Sequence, residues 1–261
     1  MVYFDVGVRK NNFSFVQKKR NALVEFSCWK TRAGRNRFTR QVKRYAFTTM
    51  KKQLTRLTSE ELLELYRNQK TAIKNRLSDF KHVSSKEYFY ELAYCLMAPQ
   101  SSAVNADKAI QQLKAFDFKN TEFNPEQLLY QKEYYIRFHK TKAKHLLTAK
   151  EHFQIIHHQR TNGGTSTELR EWLVKNVKGL GWKESSHFLR NIGHRNLAIL
   201  DRHILKNLLR LGVLKQLPKT LTSKHYLAIE KKFVKFSGKI GIPMDELDLL
   251  FWSMETGEIL R

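Results

Sequence analysis

From Thr58 to the C-terminus, apolar residues recur at intervals of three and four, the spacing of an amphipathic α-helix. The capping box Thr58-Ser-Glu-Glu61 predicts where the first helix begins, because apolar residues follow it at helical spacing. Further helices are predicted over residues 87–97, 103–116, 142–157, 168–177, 183–192, 201–211, 227–237 and 244–255. The alternation of period two that indicates a β-strand is scarce in this part of the chain. The predicted fold class is therefore mostly α.

Residues 1–57 differ in composition from the rest of the chain. They contain 15 of the 48 Lys and Arg residues but only 2 of the 24 acidic residues. Short alternating stretches such as Val6-Gly7-Val8 are compatible with strands, but no fold is predicted. We therefore divide the chain into a basic N-terminal extension, residues 1–57, and a helical domain, residues 58–261. The extension is either a basic arm that grips DNA or an addition upstream of a start at Met50.

The sequence carries a formal net charge of +24. An excess of this size favours binding to a polyanion, and nucleic acid is the partner that it predicts. Charge alone is equally compatible with a solvated surface or an RNA-associated structural protein. No stretch approaches the roughly 18 apolar residues of a membrane span, and the N-terminus lacks a secretory signal pattern. We expect an intracellular protein that does not bind membranes.

Cysteine and histidine usage argues against a metal centre. With only Cys28 and Cys95, the sequence cannot form a four-cysteine iron–sulfur cluster or a cysteine zinc site. Cys95 lies in an apolar run and is expected to be a small buried residue rather than a reactive thiol. His139, His187 and His203 show no metal-ligand spacing, so we expect them to be structural or to face phosphates. No metal and no other cofactor is predicted.

The most informative segment is a tight turn between two predicted helices. A second capping box, Thr165-Ser-Thr-Glu168, begins the helix that leads into the turn Lys178-Gly179-Leu180-Gly181-Trp182. The segment is therefore predicted to form a helix-hairpin-helix. Its two glycines permit positive φ and let backbone N–H groups, with the N-terminus of the second helix, approach a phosphate oxygen. Such a hairpin holds the DNA backbone without reading sequence. The turn alone does not decide the function, because glycine-rich links are common between antiparallel helices.

Two side chains after the turn are candidates for chemistry. Lys183 begins the second helix, and Asp201 follows 18 residues later at the end of an apolar run. Each has a structural explanation when taken alone. Lys183 is one of 48 basic residues and is compatible with a solvated position, and Asp201 is compatible with an N-cap.

Taken together, the hairpin, Lys183 and Asp201 resemble the signature of the helix-hairpin-helix DNA glycosylase superfamily. Within it, the sequence is similar to the archaeal and bacterial type of 8-oxoguanine DNA glycosylase/AP lyase. The likeness covers about residues 58–261, and it is carried by residues 90–97, 136–143, 181–190 (GWKESSHFLR), 199–205 (ILDRHIL) and 247–252. Endonuclease III has a similar hairpin but ends in a four-cysteine cluster, which this sequence cannot form.

The resemblance implies two helical subdomains flanking a DNA-binding cleft, and a substrate of double-stranded DNA containing an oxidised purine. A base inside a duplex is inaccessible, so such an enzyme flips the nucleotide into a pocket. Lys183 would attack C1′ of the sugar as a free amine, displace the base and leave a Schiff base that permits β-elimination of the 3′ phosphate. Asp201 would stabilise the oxocarbenium-like sugar and help to move protons.

The residues that would recognise the base are also implied by the resemblance. In the family, an aromatic residue of the last helix stacks on the extruded base, and the C-terminal residue helps to separate 8-oxoguanine from guanine. These roles fall on Trp252 and Arg261. The family usually ends in lysine, so Arg261 is a departure that would act through its carboxylate or its side chain. Phe138 is the candidate for the opposing stacking face, and both aromatic residues are also compatible with core packing.

The loop Ala98-Pro99-Gln100-Ser101-Ser102 occupies the place where relatives contact the lesion or fill the gap left by the flipped base. Pro99 and Gln100 are therefore candidate substrate-binding residues. Gln100 is equally suited to cap the helix that begins near Ala103.

Two other functions stay open from the sequence alone. One is a non-catalytic protein that binds nucleic acid through the same hairpin. The other is a glycosylase for a different oxidised base, because pocket shape rather than the catalytic pair sets base choice. A monomer is expected, since one active site acts on one lesion and the sequence has no heptad pattern.

Overall fold

The computed structural model describes residues 56–259 of the chain. This part folds into ten α-helices and one 3₁₀ turn at Gln127–Leu129. In chain order the helices are α1 (Ser59–Lys81), α2 (Tyr88–Met97), α3 (Ala103–Ala115), α4 (His139–Glu151), α5 (Phe153–Thr161), α6 (Ser166–Asn176), α7 (Trp182–Asn191), α8 (Arg202–Arg210), α9 (Ser223–Ile240) and α10 (Met244–Thr256). Within the described residues, β structure is limited to one isolated antiparallel bridge between Tyr130 and Tyr135. The prediction of a mostly α fold is confirmed.

Local chemistry explains the helix boundaries that were predicted well. Both capping boxes form: the Thr58 hydroxyl accepts from the Glu61 amide at 3.1 Å, and the Glu61 carboxylate accepts from the Thr58 amide at 2.8 Å. Thr165 and Glu168 make the same reciprocal pair at the start of α6. These caps satisfy backbone N–H groups that the first turn of a helix leaves unpaired.

The single helix predicted over residues 142–157 is wrong, because the structure has two helices, α4 and α5, that meet at His152. The His152 backbone, at φ −96° and ψ 6°, leaves the helical conformation there. Both its backbone amide and its ring Nδ1 contact the Thr148 carbonyl, at 3.1 and 2.9 Å. A side chain that bonds to the preceding turn competes with helix propagation, and residue spacing does not reveal this.

The helices pack into two hydrophobic clusters. The first is formed mainly by α2 to α7, with Phe89, Leu146 and Leu189 at its centre. The second is formed by α1, α8, α9 and α10, with Leu62 and Phe251 at its centre. This is the two-subdomain helical fold expected from the sequence.

Buried polar side chains connect the two clusters. Arg190 on α7 forms an ion pair with Asp248 on α10 at 3.3 Å, and its Nε donates to Asn191 at 3.1 Å. The Asn191 amide in turn donates to Glu91 on α2 at 2.8 Å. Because a buried charge is costly unless it is paired, these contacts fix the position of α7 between α2 and α10.

The helical unit extends slightly beyond its predicted start. Leu57 is buried, and its amide donates to the Arg210 carbonyl at 3.2 Å, so it packs with the helices. The described residues belong to a compact unit that begins at Thr55. Residues 1–55, which include Cys28 and Met50, lie outside the described residues. Within residues 56–259, no helix is both long and apolar enough to cross a membrane.

Candidate active site

A cavity of about 710 Å³ is lined by residues from both hydrophobic clusters. Four of the candidate catalytic and substrate-binding residues line it: Gln100, Lys183, Asp201 and Trp252. They come from a loop, from α7, from the residue before α8, and from α10. The fold therefore brings the two candidate catalytic residues, 18 positions apart in sequence, to one cavity.

The hairpin that precedes Lys183 requires glycine at Gly179 for two reasons. Its φ is +96°, and a Cβ there would lie 2.5 Å from His145 Nδ1 and 2.9 Å from Leu96 Cδ2. The suggestion that both glycines serve a positive φ is wrong for Gly181, whose φ is −92°. Gly181 is instead the N-cap of α7, where a Cβ would lie 3.0 Å from Glu184 Oε2. The hairpin is anchored by Leu180, which is buried.

The N-terminus of α7 presents backbone N–H donors of the kind that suit an anion. Gly181 has no side chain, so the first-turn N–H groups of α7 have no side-chain cap in the structure. Such groups bind phosphate oxygens readily, because the helix dipole adds to their donor capacity. Lys178 lies exposed in the adjoining turn. The arrangement is suited to hold a phosphate group next to Lys183.

Lys183 is the second residue of α7 and is partly exposed, with 26% of its side-chain surface accessible. Its Nζ lies 3.2 Å from Oε1 of Glu184. The amine is thus held at the cavity by an ion pair with a neighbouring carboxylate. A lysine acts as a nucleophile only as the free amine.

Asp201 combines the two roles that the sequence left open. It is the N-cap of α8, where Oδ1 accepts from the backbone amides of His203 and Ile204, both at 2.8 Å. The same side chain lines the cavity. A capping function and a place in the site are therefore compatible.

A buried network fixes the segment that delivers Asp201. Glu230 on α9 accepts from the Ala198 amide at 2.8 Å and from both terminal nitrogens of Arg170 at 2.6 and 2.8 Å. The Tyr226 hydroxyl donates to the Ala198 carbonyl at 2.5 Å and accepts from the Leu200 amide at 3.3 Å. These hydrogen bonds between buried groups hold the segment before Asp201 in place.

Trp252 contributes an aromatic wall to the cavity. Its ring lies edge-on to that of His203, with centroids 5.0 Å apart and an interplanar angle of 89°. Arg202 Nε donates to His203 Nε2 at 3.1 Å, which requires that nitrogen to be unprotonated. The Trp252 indole N–H is buried without a hydrogen-bond partner among the described residues.

The loop between α2 and α3 borders the cavity through Gln100, Ser101 and Ser102. The alternative that Gln100 caps the next helix is wrong, because the Ser102 hydroxyl accepts from the Asn105 amide at 3.0 Å. Gln100 instead has a left-handed backbone, with φ 57°. Pro99 is not among the lining residues, and its carbonyl accepts a hydrogen bond from Lys142.

Two other predicted residues are not placed in the cavity wall. Phe138, half exposed at the start of α4, has a φ of 60° and lies outside the set of lining residues. Its neighbour Arg137 does line the cavity, with its guanidinium 4.9 Å from the Phe138 ring centroid. Arg261 lies outside the described residues. Their roles in base recognition stay predictions.

Several lining residues were missed from the sequence. The basic side chains that line the cavity are Arg137, Lys183, Arg190 and Arg202, against the acidic side chains of Asp201 and Asp248. His187 and His203, expected to be structural or to face phosphates, also line it. The excess of positive charge suits a polyanionic substrate.

Asp248 is the most informative of the missed residues. It is buried, and burial raises its pKa to about 7, with Asp201 adding to the rise and Arg190 opposing it. One signal in the sequence would have found it. Asp248 precedes Trp252 by four residues, so the two side chains share one face of α10. No local feature of the sequence identifies Arg190 as the partner of Asp248.

Comparison with known proteins places the chain in a family. The family model for 8-oxoguanine DNA glycosylase matches residues 73–242. The chain is 42% identical over 211 residues to the 8-oxoguanine DNA glycosylase/AP lyase of Fusobacterium nucleatum, covering 77% of this chain and 96% of that protein. It is 38% identical to the corresponding protein of Korarchaeum cryptofilum, covering 72% and 90%.

A solved structure agrees with these matches. It is that of the Methanocaldococcus jannaschii 8-oxoguanine glycosylase/lyase in complex with DNA containing 8-oxoguanine, which is 31% identical and superimposes with a TM-score of 0.70. The match covers 78% of this chain and 99% of that one. The resemblance indicated by the hairpin and its two downstream residues is confirmed. The chain therefore belongs to the archaeal and bacterial family of helix-hairpin-helix 8-oxoguanine DNA glycosylase/AP lyases.

Proposed function

We propose that the protein excises 8-oxoguanine from double-stranded DNA and then cleaves the strand 3′ to the abasic site, with Lys183 as the nucleophile. The assignment of residues rests on one observation. Lys183 and Asp201 line the same cavity, and Lys183 lies in the first turn of the helix that follows the hairpin turn. Membership of the family supports the reaction, and the relative from Methanocaldococcus jannaschii was solved with DNA containing the lesion.

DNA binding begins at the hairpin. The uncapped N–H groups of α7, together with Lys178, bind a phosphate of the damaged strand. The lesion nucleotide then leaves the duplex and enters the cavity, whose volume of about 710 Å³ admits a nucleotide. Trp252 stacks on the extruded base, and Gln100 and Pro99 belong to the loop that borders it.

Chemistry starts when the Lys183 ammonium loses a proton. Glu184 Oε1, at 3.2 Å, is a carboxylate within reach of that proton. The Lys183 amine forms a bond to C1′ as the bond from C1′ to the base breaks, and the base leaves with a proton. Asp201 stabilises the positive charge that develops on the sugar.

The covalent adduct carries the second activity. Opening of the sugar ring converts the adduct between Lys183 and C1′ into a Schiff base. The imine makes the C2′ protons acidic, and loss of one of them expels the 3′ phosphate by β-elimination. Water then hydrolyses the imine and frees Lys183.

Further roles in this proposal fall on Arg261, on Phe138 and on the basic extension. Arg261, the last residue, takes part in separating 8-oxoguanine from guanine, and Phe138 provides a further aromatic contact. The basic extension, residues 1–57, adds non-specific affinity for the DNA backbone through its 15 Lys and Arg residues. The protein acts inside the cell, as a monomer.

Borohydride trapping tests the proposal directly, because it reduces the Schiff base to a stable covalent complex. Wild type, Lys183→Ala and the control Lys232→Ala are incubated with a duplex containing 8-oxoguanine opposite cytosine, with an undamaged duplex and with an abasic duplex. Lys232 is an exposed lysine on α9 and serves as a matched loss of charge. We expect a trapped band on both damaged duplexes for wild type and Lys232→Ala, and none for Lys183→Ala.

The other outcomes distinguish the alternatives. A band on the abasic duplex alone would support the lyase activity and would indicate that the glycosylase removes a base other than 8-oxoguanine. No band on either damaged duplex, with DNA binding retained, would indicate a non-catalytic hairpin protein. Trapping by Lys183→Ala would move the nucleophile to another amine.

A further inference from the structure

A second lysine lies buried beside the cavity loop. Lys142, on α4, is only 5% exposed. Its Nζ donates to the Met97 carbonyl at 2.6 Å, to the Pro99 carbonyl at 2.7 Å and to the Ser101 hydroxyl at 3.1 Å. An ammonium group has three N–H donors, so the three acceptors use all of them. A buried lysine with this set of partners is a specific feature rather than a solvated charge.

The three acceptors belong to the element that borders the cavity. Met97 is the last residue of α2, and its carbonyl is one of the four that a helix leaves unpaired at its C-terminus. Pro99 and Ser101 lie in the loop that joins α2 to α3. Lys142 therefore fastens the end of α2 and the loop to α4.

The residue between the two loop contacts is strained. Gln100 lines the cavity and has a φ of 57°, in the left-handed region that residues other than glycine rarely adopt. Such a conformation persists only where neighbouring contacts over-determine it. The hydrogen bonds from Lys142 to Pro99 and Ser101 lie on either side of Gln100 and provide those contacts.

We infer that Lys142 is a positioning residue for base excision, which holds the loop of residues 98–102, and Gln100 in particular, in the conformation that meets the extruded nucleotide. The inference rests on the proposed function, because it requires the cavity to receive a base. This role differs from that of Lys183, since Lys183 lines the cavity and Lys142 is not among its lining residues. The inference predicts different effects on the two activities, because an abasic site has no base to position and its cleavage should depend little on Lys142.

The charge of Lys142 changes as pH passes through about 8. The pKa of Lys142 is lowered to about 8, mainly by burial and also by the nearby charge of Lys183, while Glu184 opposes the change. The loop contributes only neutral acceptors. Above this pKa the amine keeps two N–H donors for three acceptors, so one of the three bonds is lost.

The test compares two reactions of the same enzyme under single-turnover conditions. Wild type, Lys142→Met, Lys142→Arg and the control Lys144→Met are assayed on a duplex with 8-oxoguanine and on the same duplex with a preformed abasic site. Lys144 is an exposed lysine on the same helix. For Lys142→Met we expect base excision to slow by at least about tenfold, while cleavage at the abasic site stays within about threefold of wild type. Lys144→Met leaves both rates unchanged.

The conservative variant and the pH profile give readouts that a purely structural role would not move. Lys142→Arg keeps a permanent charge and recovers part of the excision rate. In wild type, the ratio of excision to abasic-site cleavage falls as pH rises through about 8, and in Lys142→Arg it stays constant. Both reactions need Lys183 as the nucleophile, so the ratio removes effects that are common to the two reactions.

Three results would overturn the inference. One is an equal loss of both reactions in Lys142→Met, accompanied by a lower melting temperature. Another is full excision activity in that variant. The third, which needs no variant, is a wild-type ratio that is constant between pH 7 and pH 9. Failure of wild type in both reactions would instead reject the proposed function.

Discussion

Oδ1 of Asp201 lies 2.8 Å from the backbone amide of Ile204, so the carboxylate that lines the cavity also caps α8. Oδ1 accepts from the His203 amide as well, at the same distance. The orientation of the side chain is therefore fixed by the helix that it begins. Most substitutions of Asp201 therefore change both the stability of α8 and the charge of the cavity.

Asparagine and alanine separate the two roles of Asp201. Asparagine caps a helix about as well as aspartate, so we expect Asp201→Asn to unfold at the wild-type urea concentration. Alanine removes the cap and should cost about 1 kcal/mol of stability. Both variants lack the negative charge, and both should slow excision by about 100-fold or more in single-turnover assays. Near-normal excision by Asp201→Asn would show that the carboxylate serves only as a cap.

Trp252 offers a test of base stacking. An aromatic surface contributes about 1–3 kcal/mol per stacked base, so Trp252→Ala should reduce the excision rate by about 10-fold to 100-fold. Trp252→Phe keeps a smaller ring and should lose less. Cleavage of a preformed abasic site, which has no base to stack on, should change little in either variant. An equal loss of excision and abasic-site cleavage would assign Trp252 to the packing around His203 instead.

Gly179 should tolerate no side chain, and Gly163 provides a matched control. Both have positive φ, +96° and +77°, but a Cβ at Gly163 would meet no atom within 4 Å. Gly163→Ala should therefore lose only the conformational term of about 1–2 kcal/mol. Gly179→Ala should lose more than about 2 kcal/mol, because the methyl group would also displace His145 and Leu96.

Urea unfolding measures this difference between the two alanine variants, and DNA binding at fixed salt measures its effect on the hairpin. We expect weaker binding only for Gly179→Ala, since Gly163 lies in the turn before α6 and outside the hairpin. Similar losses of stability in the two variants would mean that the close approach of His145 to Gly179 relaxes at little cost.

The features that sequence alone predicted are those with local causes. Capping boxes at Thr58 and Thr165 act over three residues, so their chemistry can be recognised in the sequence. The hairpin turn has a local cause as well, because the positive φ of Gly179 favours glycine whatever packs against it. Asp201 follows a short buried segment and caps the next helix, so its position is also fixed by nearby residues.

The features that sequence did not predict depend on contacts between distant residues. Lys142 bonds to carbonyls more than 40 positions away, and Arg190 pairs with Asp248 across 58 positions. Nothing in the local sequence distinguishes Lys142 or Arg190 from the other charged side chains. The same reason hid the backbone conformation of Gln100, because its positive φ follows from the tertiary contacts on either side.

Asp248 determines how stability should depend on pH. Burial raises the pKa of Asp248 to about 7, so the folded protein keeps a proton that the unfolded chain releases near pH 4. Stability is therefore lost as pH rises between these values, at up to about 1.4 kcal/mol per pH unit. Asp248→Asn cannot titrate. We expect the unfolding free energy of wild type to fall relative to that of Asp248→Asn from pH 4 to pH 7, and the difference to stay constant at higher pH. Urea unfolding of both proteins across this range measures it, and a difference independent of pH would mean that Arg190 keeps Asp248 ionised throughout.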